Sequence, residues 1–221
     1  ALKKNLDQKI KPGRYKIESG TDNTDLVNMI KAGNQTESSF RIGDFNDVYQ
    51  MIGRVSRKTE ADSLTFVKEF NKIAVSKGYN NAEDLKKYFF ADTYQFFWTV
   101  KPAEFFEKFE NQYQEFWNEE RLAKERKLNL SREEIYALAS IVYKESGGKT
   151  DEQKTIAGLY LNRFRKGMKL QSDPTVIYAI NKEDNFKSDI KRVLYKHLSV
   201  QSPYNTYKNA GIPPGPICIV D

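Results

Sequence analysis

Residues 131–148 read SREEIYALASIVYKESGG, a stretch that carries the start signal, the apolar stripe and the stop signal of one helix. Ser131 and Glu134 form the pattern of a capping box, in which each side chain accepts a hydrogen bond from the backbone N–H of the other residue. Gly147 and Gly148 then supply the left-handed backbone at which helices commonly end. The stretch therefore predicts a helix that begins after Ser131 and ends at Gly147.

Glu145 is the polar member of the apolar stripe of this helix. Ile135, Leu138 and Val142 precede it, and Leu138 and Glu145 lie nearly two helical turns apart. We expect its side chain to point inward, where desolvation and the negative end of the helix dipole disfavour its charged form. A carboxyl group that keeps its proton near neutral pH is a general acid. The alternative is a solvent-exposed side chain or a pair with Lys149, which position alone favours because most Glu side chains are exposed.

The segment after Gly148 predicts a second helix, from about Asp151 to Lys166, with Thr150 as its N-cap and Gly167 as its stop. Its apolar positions recur at helical spacing, and they are Ile156, Leu159, Tyr160 and Phe164. A turn follows at the Ser-Asp-Pro sequence of residues 172–174.

The tail of the chain has neither helical nor strand periodicity. Residues 202–207 and 211–216 combine amides and hydroxyls with aromatic rings and prolines. Such a mixture suits a carbohydrate cleft, in which rings stack on the C–H faces of sugars and amides bind hydroxyl groups. An ordinary surface loop is the alternative interpretation.

The first fifth of the chain predicts a small β-α-β unit over residues 11–42. Its parts are a strand at 14–17, a helix at 25–31 and a returning strand at 38–42. Such a unit buries little apolar surface alone, so we expect it to pack on the rest of the chain.

From residue 44 the pattern is mainly helical. Pro102 suits the first turn of a long helix whose solvated end lies at residues 124–127. Two shorter helices precede it, and their apolar positions are Phe45, Val48, Tyr49 and Ile52 in one and Leu64, Val67, Phe70, Ile73 and Ala74 in the other.

Composition excludes several classes of protein. The 221 residues are 39% hydrophobic and 13% aromatic, so the chain is neither disordered nor fibrous. A net charge of +6 with interspersed signs and no basic block argues against nucleic acid as a partner. One Cys and one His, Cys218 and His197, exclude an internal disulfide and argue against a His-based metal site or a Ser-His-Asp triad. No apolar run is long enough to span a bilayer.

Three segments together resemble the endolytic murein transglycosylases of the YceG-like family. They are residues 138–145 (LASIVYKE), residues 161–178 (LNRFRKGMKLQSDPTVIY) and residues 202–217 (SPYNTY, then GIPPGPI from residue 211). The resemblance implies an α+β fold. It implies a small LysM-like β-α-β module in residues 1–43 and a mainly helical catalytic domain with short strands in residues 44–221, which family members extend beyond this point.

The resemblance also implies an activity. Members cleave the β-1,4 bond between N-acetylmuramic acid and N-acetylglucosamine in nascent peptidoglycan and leave a 1,6-anhydro-muramyl end, which is thought to end strand growth. The catalytic glutamate of the family falls on Glu145, which would act first as general acid and then as base. Many members carry a second Glu at the place of Tyr143, so Glu145 is the only candidate in this motif.

Further expectations follow from the resemblance. The substrate is the peptidoglycan glycan strand, peptidoglycan synthases are candidate partners, and no metal or other cofactor is needed. The expected location is the cell envelope, with the full-length protein anchored in the inner membrane by an N-terminal helix absent from this chain and the catalytic domain outside. Cleft residues are expected to bind the sugars, and the candidates are Asn162, Arg163, Gln171, Asp173, Tyr178, Tyr204, Asn205 and Tyr207.

Two alternatives stay open. The chain could bind or organise peptidoglycan without cleaving it. It could instead be a muramidase-type hydrolase that uses Asp173 or Asp92 as a second carboxylate with water, which is the arrangement of ordinary glycosidases. The chemistry of the product end separates the hydrolase from the transglycosylase.

Overall fold

A computed structural model describes residues 10–43, 45–187 and 190–220. Within these residues the fold is mainly helical with one two-stranded sheet, consistent with the expected α+β class. The α-helices are α1 (Asn23–Ala32), α2 (Val48–Val55), α3 (Ser63–Ser76), α4 (Pro102–Phe116), α5 (Glu119–Leu128), α6 (Arg132–Ser146), α7 (Thr150–Arg165) and α8 (Asp173–Glu183). Short 3-10 helices span Ser56–Lys58, Ala82–Tyr88 and Tyr195–Ser199.

The sheet joins the N-terminal segment to the centre of the chain. Strand β1 (Ser38–Ile42) pairs antiparallel with β2 (Asp92–Phe96), with Phe40 opposite Tyr94. The predicted helix and returning strand are present, but the strand predicted at residues 14–17 is wrong, since these residues are irregular. β1 finds its partner in β2 instead. The LysM-like assignment of residues 1–43 stays a prediction, and residues 1–9 and 44 lie outside the described residues.

The first hydrophobic core is dominated by aromatic rings. Five rings are each at most 1% exposed, namely Phe66, Phe70, Phe89, Phe105 and Phe109. The pairs Phe66–Phe70, Phe66–Phe105 and Phe89–Phe109 pack edge to face, an arrangement that aromatic quadrupoles favour. These rings come from α3, α4 and the end of the 3-10 helix over Ala82–Tyr88. These aromatic side chains therefore form the centre of the first core.

Three details of this half differ from the sequence prediction. Tyr49 is 42% exposed although it was expected among the apolar positions of its helix. Leu64 is 77% exposed because it lies in the first turn of α3, away from the core face that Phe66 and Phe70 occupy. The long helix from Pro102 ends at Phe116, and residues 124–127 belong to the separate helix α5. Asn118 caps α5 by accepting from the N–H of Arg121 at 3.1 Å, so a new helix starts there.

The second hydrophobic core lies between α6, α7, α8 and the C-terminal segment. Its buried members are Leu138, Ile141, Val142, Tyr160, Leu170, Tyr178 and Ile217. The α7 helix begins at Thr150 itself, so the predicted N-cap is its first residue, and Leu159 is 53% exposed although the period placed it on the apolar face. The tail is fixed by the Ser140 hydroxyl, which accepts from the N–H of Ile217 at 3.0 Å.

A buried lysine connects the two cores. Lys86 is 1% exposed; its Nζ donates to the carbonyls of Asn46 (2.6 Å) and Pro216 (3.2 Å) and to the hydroxyl of Tyr178 (3.1 Å), and pairs with Glu83. Burial lowers the pKa of Lys86, and the charge of Glu83 opposes that shift. This network ties the tail and α8 to the first half of the chain.

Candidate active site

Helix α6 presents Glu145 in its last turn. The predicted capping box is confirmed: the N–H of Glu134 donates to Ser131 Oγ at 3.2 Å, and the N–H of Ser131 donates to Glu134 Oε2 at 2.8 Å. The helix ends at Gly147, whose φ of 59° lies in the left-handed region. Both ends of the helix are thus fixed by local sequence, which places Glu145 one residue before its last.

The structure corrects the expected burial of Glu145. Leu138 and Val142 are each 6% exposed, so the apolar stripe is buried up to there, but Glu145 is exposed. Helical periodicity predicts the direction in which a side chain points. Near the end of a helix, fewer neighbouring residues are present to bury that side chain. The buried position predicted for Glu145 is therefore wrong. Lys149 is not its partner either, because that lysine pairs with Glu152 at 3.4 Å.

The carboxyl group of Glu145 is held by a residue that the sequence placed in the core. The hydroxyl of Tyr160, on α7, donates to Glu145 Oε1 at 2.6 Å, and Tyr160 is 3% exposed. The hydroxyl of Ser172 reaches the same oxygen at 3.5 Å. In the described part of the chain, Oε2 forms no hydrogen bond with protein groups. One oxygen of an exposed carboxyl group is therefore anchored by the protein.

Arg163 and Gln171 form a second polar contact on the loop after α7. The guanidinium of Arg163 donates to the side-chain carbonyl of Gln171 and, through Nε, to the backbone carbonyl of Lys169 at 2.9 Å. Gln171 has a φ of 56°, a left-handed conformation that only a few per cent of non-glycine residues adopt. The loop leads directly to Ser172, so this contact shapes the backbone beside Glu145.

Residues 205–207 pack against that loop. The N–H of Ser172 donates to Thr206 Oγ1 at 2.9 Å, and the N–H of Gln171 donates to the carbonyl of Thr206 at 3.1 Å. Asn205 is fully buried, and its amide donates to the backbone carbonyls of Leu198 and Val200 at 3.0 and 2.9 Å. Asn205 thus holds the backbone of the 198–206 segment.

Tyr207 and Asp173 stand together at the start of α8. The Tyr207 hydroxyl donates to Asp173 Oδ1 at 2.6 Å. Burial, the hydrogen bond to Asp173 and the nearby charges of Asp173 and Glu145 raise the pKa of Tyr207 to about 12. Since the charge of Glu145 contributes to this shift, the Tyr207–Asp173 pair lies on the same side of the molecule as Glu145.

The remaining candidates lie elsewhere. Tyr178 is 4% exposed, its hydroxyl contacts Lys86, and its ring packs at 4.8 Å from that of Tyr204. The Tyr204 hydroxyl accepts from Lys182 at 3.3 Å. Asn162 is exposed on α7. Contact of any of these residues with sugar stays a prediction.

The candidate site thus joins Glu145, Arg163, Gln171, Asp173 and Tyr207 with three residues that sequence reasoning missed, namely Tyr160, Ser172 and Thr206. Within residues 10–43, 45–187 and 190–220, no three His, Cys, Asp or Glu side chains are placed to hold a metal ion. The same residues contain no helix long and apolar enough to cross a membrane.

Comparison with known proteins identifies the family. The sequence model of the YceG-like family matches residues 1–221. The chain belongs to the YceG-like family. A YceG-like protein from Listeria monocytogenes of known crystal structure has the same fold, with a TM-score of 0.70 and 26% identity over all of this chain and 76% of that chain.

Two curated relatives are similar over a shorter stretch. A protein of Bacillus subtilis strain 168 named endolytic murein transglycosylase is 46% identical over 92 residues, which are 42% of this chain and 24% of that protein. A protein of the same name from Streptococcus pneumoniae serotype 2 strain D39 is 42% identical over 89 residues, which are 40% of this chain and 16% of that protein. The matches therefore cover less than a quarter of these relatives' length.

Proposed function

We propose that this YceG-like chain carries the catalytic machinery of an endolytic murein transglycosylase. It would cleave the bond from N-acetylmuramic acid to N-acetylglucosamine inside nascent glycan strands at the cell envelope, and so end their growth. Membership of the family and the names of the two relatives support the substrate class. The observation that carries the proposal is the exposed carboxyl group of Glu145 with one oxygen anchored by the buried hydroxyl of Tyr160.

A single carboxyl group suffices for this reaction. Protonated Glu145 donates its proton to the glycosidic oxygen as the bond from that oxygen to muramyl C1 breaks. The resulting carboxylate then takes the proton of the C6 hydroxyl of the same sugar, whose oxygen bonds to C1 and closes the 1,6-anhydro ring. No water is consumed, so the second carboxylate of an ordinary glycosidase has no task.

The neighbouring residues have supporting roles in this proposal. Tyr160 fixes Oε1 and leaves Oε2 to face the glycosidic oxygen. The Arg163–Gln171 contact and the Thr206 bonds hold the loop that carries Ser172. Because Glu145 is exposed in the free protein, a bound glycan would cover the carboxyl group and exclude water from it. In this proposal the sugar site would be lined by Arg163, Gln171, Asp173 and Tyr207, with Asn162 on the adjoining turn of α7.

The test is digestion of purified peptidoglycan by the wild-type chain and by Glu145→Gln, with the products identified by mass spectrometry. We expect anhydro-muramyl ends from wild type and none from the variant. Glu152→Gln, the same change on an exposed Glu of α7, is the matched control and should cleave normally.

Other outcomes would overturn the proposal in distinct ways. Reducing ends would indicate hydrolysis and direct attention to Asp173 as the second carboxylate. Retained binding of peptidoglycan without any product would favour a binding module.

A further inference from the structure

A cavity of about 290 Å³ lies on the side of α6 and α8 next to the candidate active site. Its wall includes Lys144 and Pro174, the chain neighbours of Glu145 and Asp173. Since consecutive Cα atoms are about 3.8 Å apart, each helix contributes one residue to the site and an adjacent residue to the cavity. A ligand that occupies the site could therefore extend a substituent into this cavity.

The lining of the cavity is amphipathic. Ile177 and Ile217 supply apolar surface, and Lys144 and Lys191 supply positive charge. Both lysines also interact with the rest of the chain, so a bound anion would add to those interactions. The lining fits a short peptide that carries carboxylates and small apolar side chains.

One buried amide in the lining points to a ligand more directly. Asn181 is 7% exposed, and its Oδ1 accepts from the N–H of Ile190 at 3.3 Å. Its Nδ2 group donates to no protein group in the described part of the chain. Because Asn181 lines the cavity, this donor is available to a ligand there. A peptide carbonyl in the cavity would supply the acceptor.

We infer that this cavity binds the acidic stem peptide of the muramyl residue that is cleaved. The inference rests on the proposed function, because that sugar carries its stem on the lactyl group at C3, two ring positions from the reacting C1. The Asn181 amide would bind a backbone carbonyl of the stem. Its carboxylates would face Lys144 and Lys191, and its apolar side chains would contact Ile177 and Ile217. The stem would then position the sugar relative to Glu145.

The experiment compares two substrates, glycan strands with their stems and the same strands after an amidase has removed them. Wild type should cleave stem-bearing strands with a kcat/KM about tenfold higher, the size of one good polar contact. Asn181→Asp keeps the acceptor for Ile190, removes the donor and adds a repelling charge, and should abolish this preference. Lys191→Glu should weaken it, while Lys196→Glu, an exposed lysine outside the lining, should leave it intact.

Three results would count against the inference. One is equal cleavage of both substrates by wild type, and another is an Asn181→Asp variant that slows both substrates equally. If wild type cleaves neither substrate, the proposed function fails, and calorimetric titration with isolated stem peptides then decides on the cavity alone. Binding to wild type that is lost in Asn181→Asp would support the cavity, and no binding to either would overturn it.

Discussion

The hydroxyl of Tyr160 donates a 2.6 Å hydrogen bond to Oε1 of Glu145. The donor is 3% exposed and belongs to the second hydrophobic core, whereas the acceptor is exposed at the end of α6. Burial and this hydrogen bond raise the pKa of Tyr160, so its phenol stays protonated and remains the donor. The orientation of the proposed acid/base is therefore set by the packing of α7 on α6.

Removal of this hydroxyl should lower turnover more than substrate binding. In Tyr160→Phe the ring keeps its place in the core, but Glu145 loses its anchor. A hydrogen bond to a charged group is worth about 1.5–3 kcal/mol, so we expect kcat to fall about 10- to 100-fold with little change in KM. Steady-state cleavage of peptidoglycan measures both constants.

Tyr136→Phe is the matched control on α6. Tyr136 is also buried, and it donates at 2.6 Å to the carbonyl of Phe89, a residue of the first hydrophobic core. Its loss should cost about 1 kcal/mol of unfolding free energy and leave kcat unchanged. A Tyr160→Phe variant with wild-type kcat would show that Tyr160 contributes to core packing and does not orient Glu145.

Several phenols should resist ionisation in strong base. Burial is the first cause that raises the pKa of Tyr94, Tyr204 and Tyr207 to about 12, from an ordinary value of 10.0. A raised folded-state pKa stabilises the fold fully below pH 10, and this contribution is lost as the pH rises from about 10 to about 12. We expect the free energy of unfolding to fall across that window.

Tyrosinate absorbance against pH, in native and in urea-unfolded protein, checks this prediction. In the unfolded chain all tyrosines should ionise together near pH 10. In the native chain a fraction of them should ionise only at higher pH. Coincident curves would show that these phenols are accessible to solvent.

Local signals were sufficient for the helix that carries Glu145. The capping box at Ser131 and the stop at Gly147 lie within a few residues of the atoms they bind, so sequence alone locates both ends of α6. Alternation at residues 14–17 failed because a strand needs a partner, and β1 pairs with β2, which lies fifty or more residues away in the sequence. Strand pairing is decided by tertiary packing, and an alternating sequence pattern does not show which partner a strand has.

The site was predictable only in part for the same reason. Helical periodicity placed Tyr160 on the apolar face of α7 correctly, but it does not say which side chain the hydroxyl meets across the helix interface. The contacts of Thr206 with Gln171 and Ser172 join segments more than thirty residues apart. Glu145 is exposed because the last turn of α6 extends beyond the elements that pack against this helix. Helical periodicity does not predict where that packing ends.

Loss of the buried lysine should destabilise the fold strongly. Lys86→Met leaves the carboxylate of Glu83 largely buried without its cation, although the N–H of Val48 still donates to it at 2.7 Å. Breaking a buried ion pair typically costs about 3–5 kcal/mol. Urea denaturation should show a loss of that size. The double variant Lys86→Met with Glu83→Gln should lose less, since no unpaired charge remains, and a larger loss in the double variant would contradict this account.

Gln171 offers a test that separates function from stability. Its φ of 56° is unfavourable for an L-residue by about 1–2 kcal/mol, a strain that glycine would relieve. Glycine also loses more backbone entropy on folding, by about 0.5–1 kcal/mol, so Gln171→Gly should keep or slightly raise the free energy of unfolding. Arg163 would lose its side-chain acceptor, and we expect cleavage to fall about tenfold, the effect of one lost charge-assisted contact.

Asn129→Gly is the control, because Asn129 ends α5 with a φ of 55° and has no place in the site. Its stability should respond in the same direction as that of Gln171→Gly, and its cleavage rate should not change. Backbone strain is retained where a side chain is needed for function. If only Gln171→Gly lowers activity, the strained backbone at Gln171 serves to present its side chain to Arg163. Equal activities in both variants would make Gln171 a turn residue, and the loop beside Glu145 would then depend on the Thr206 bonds.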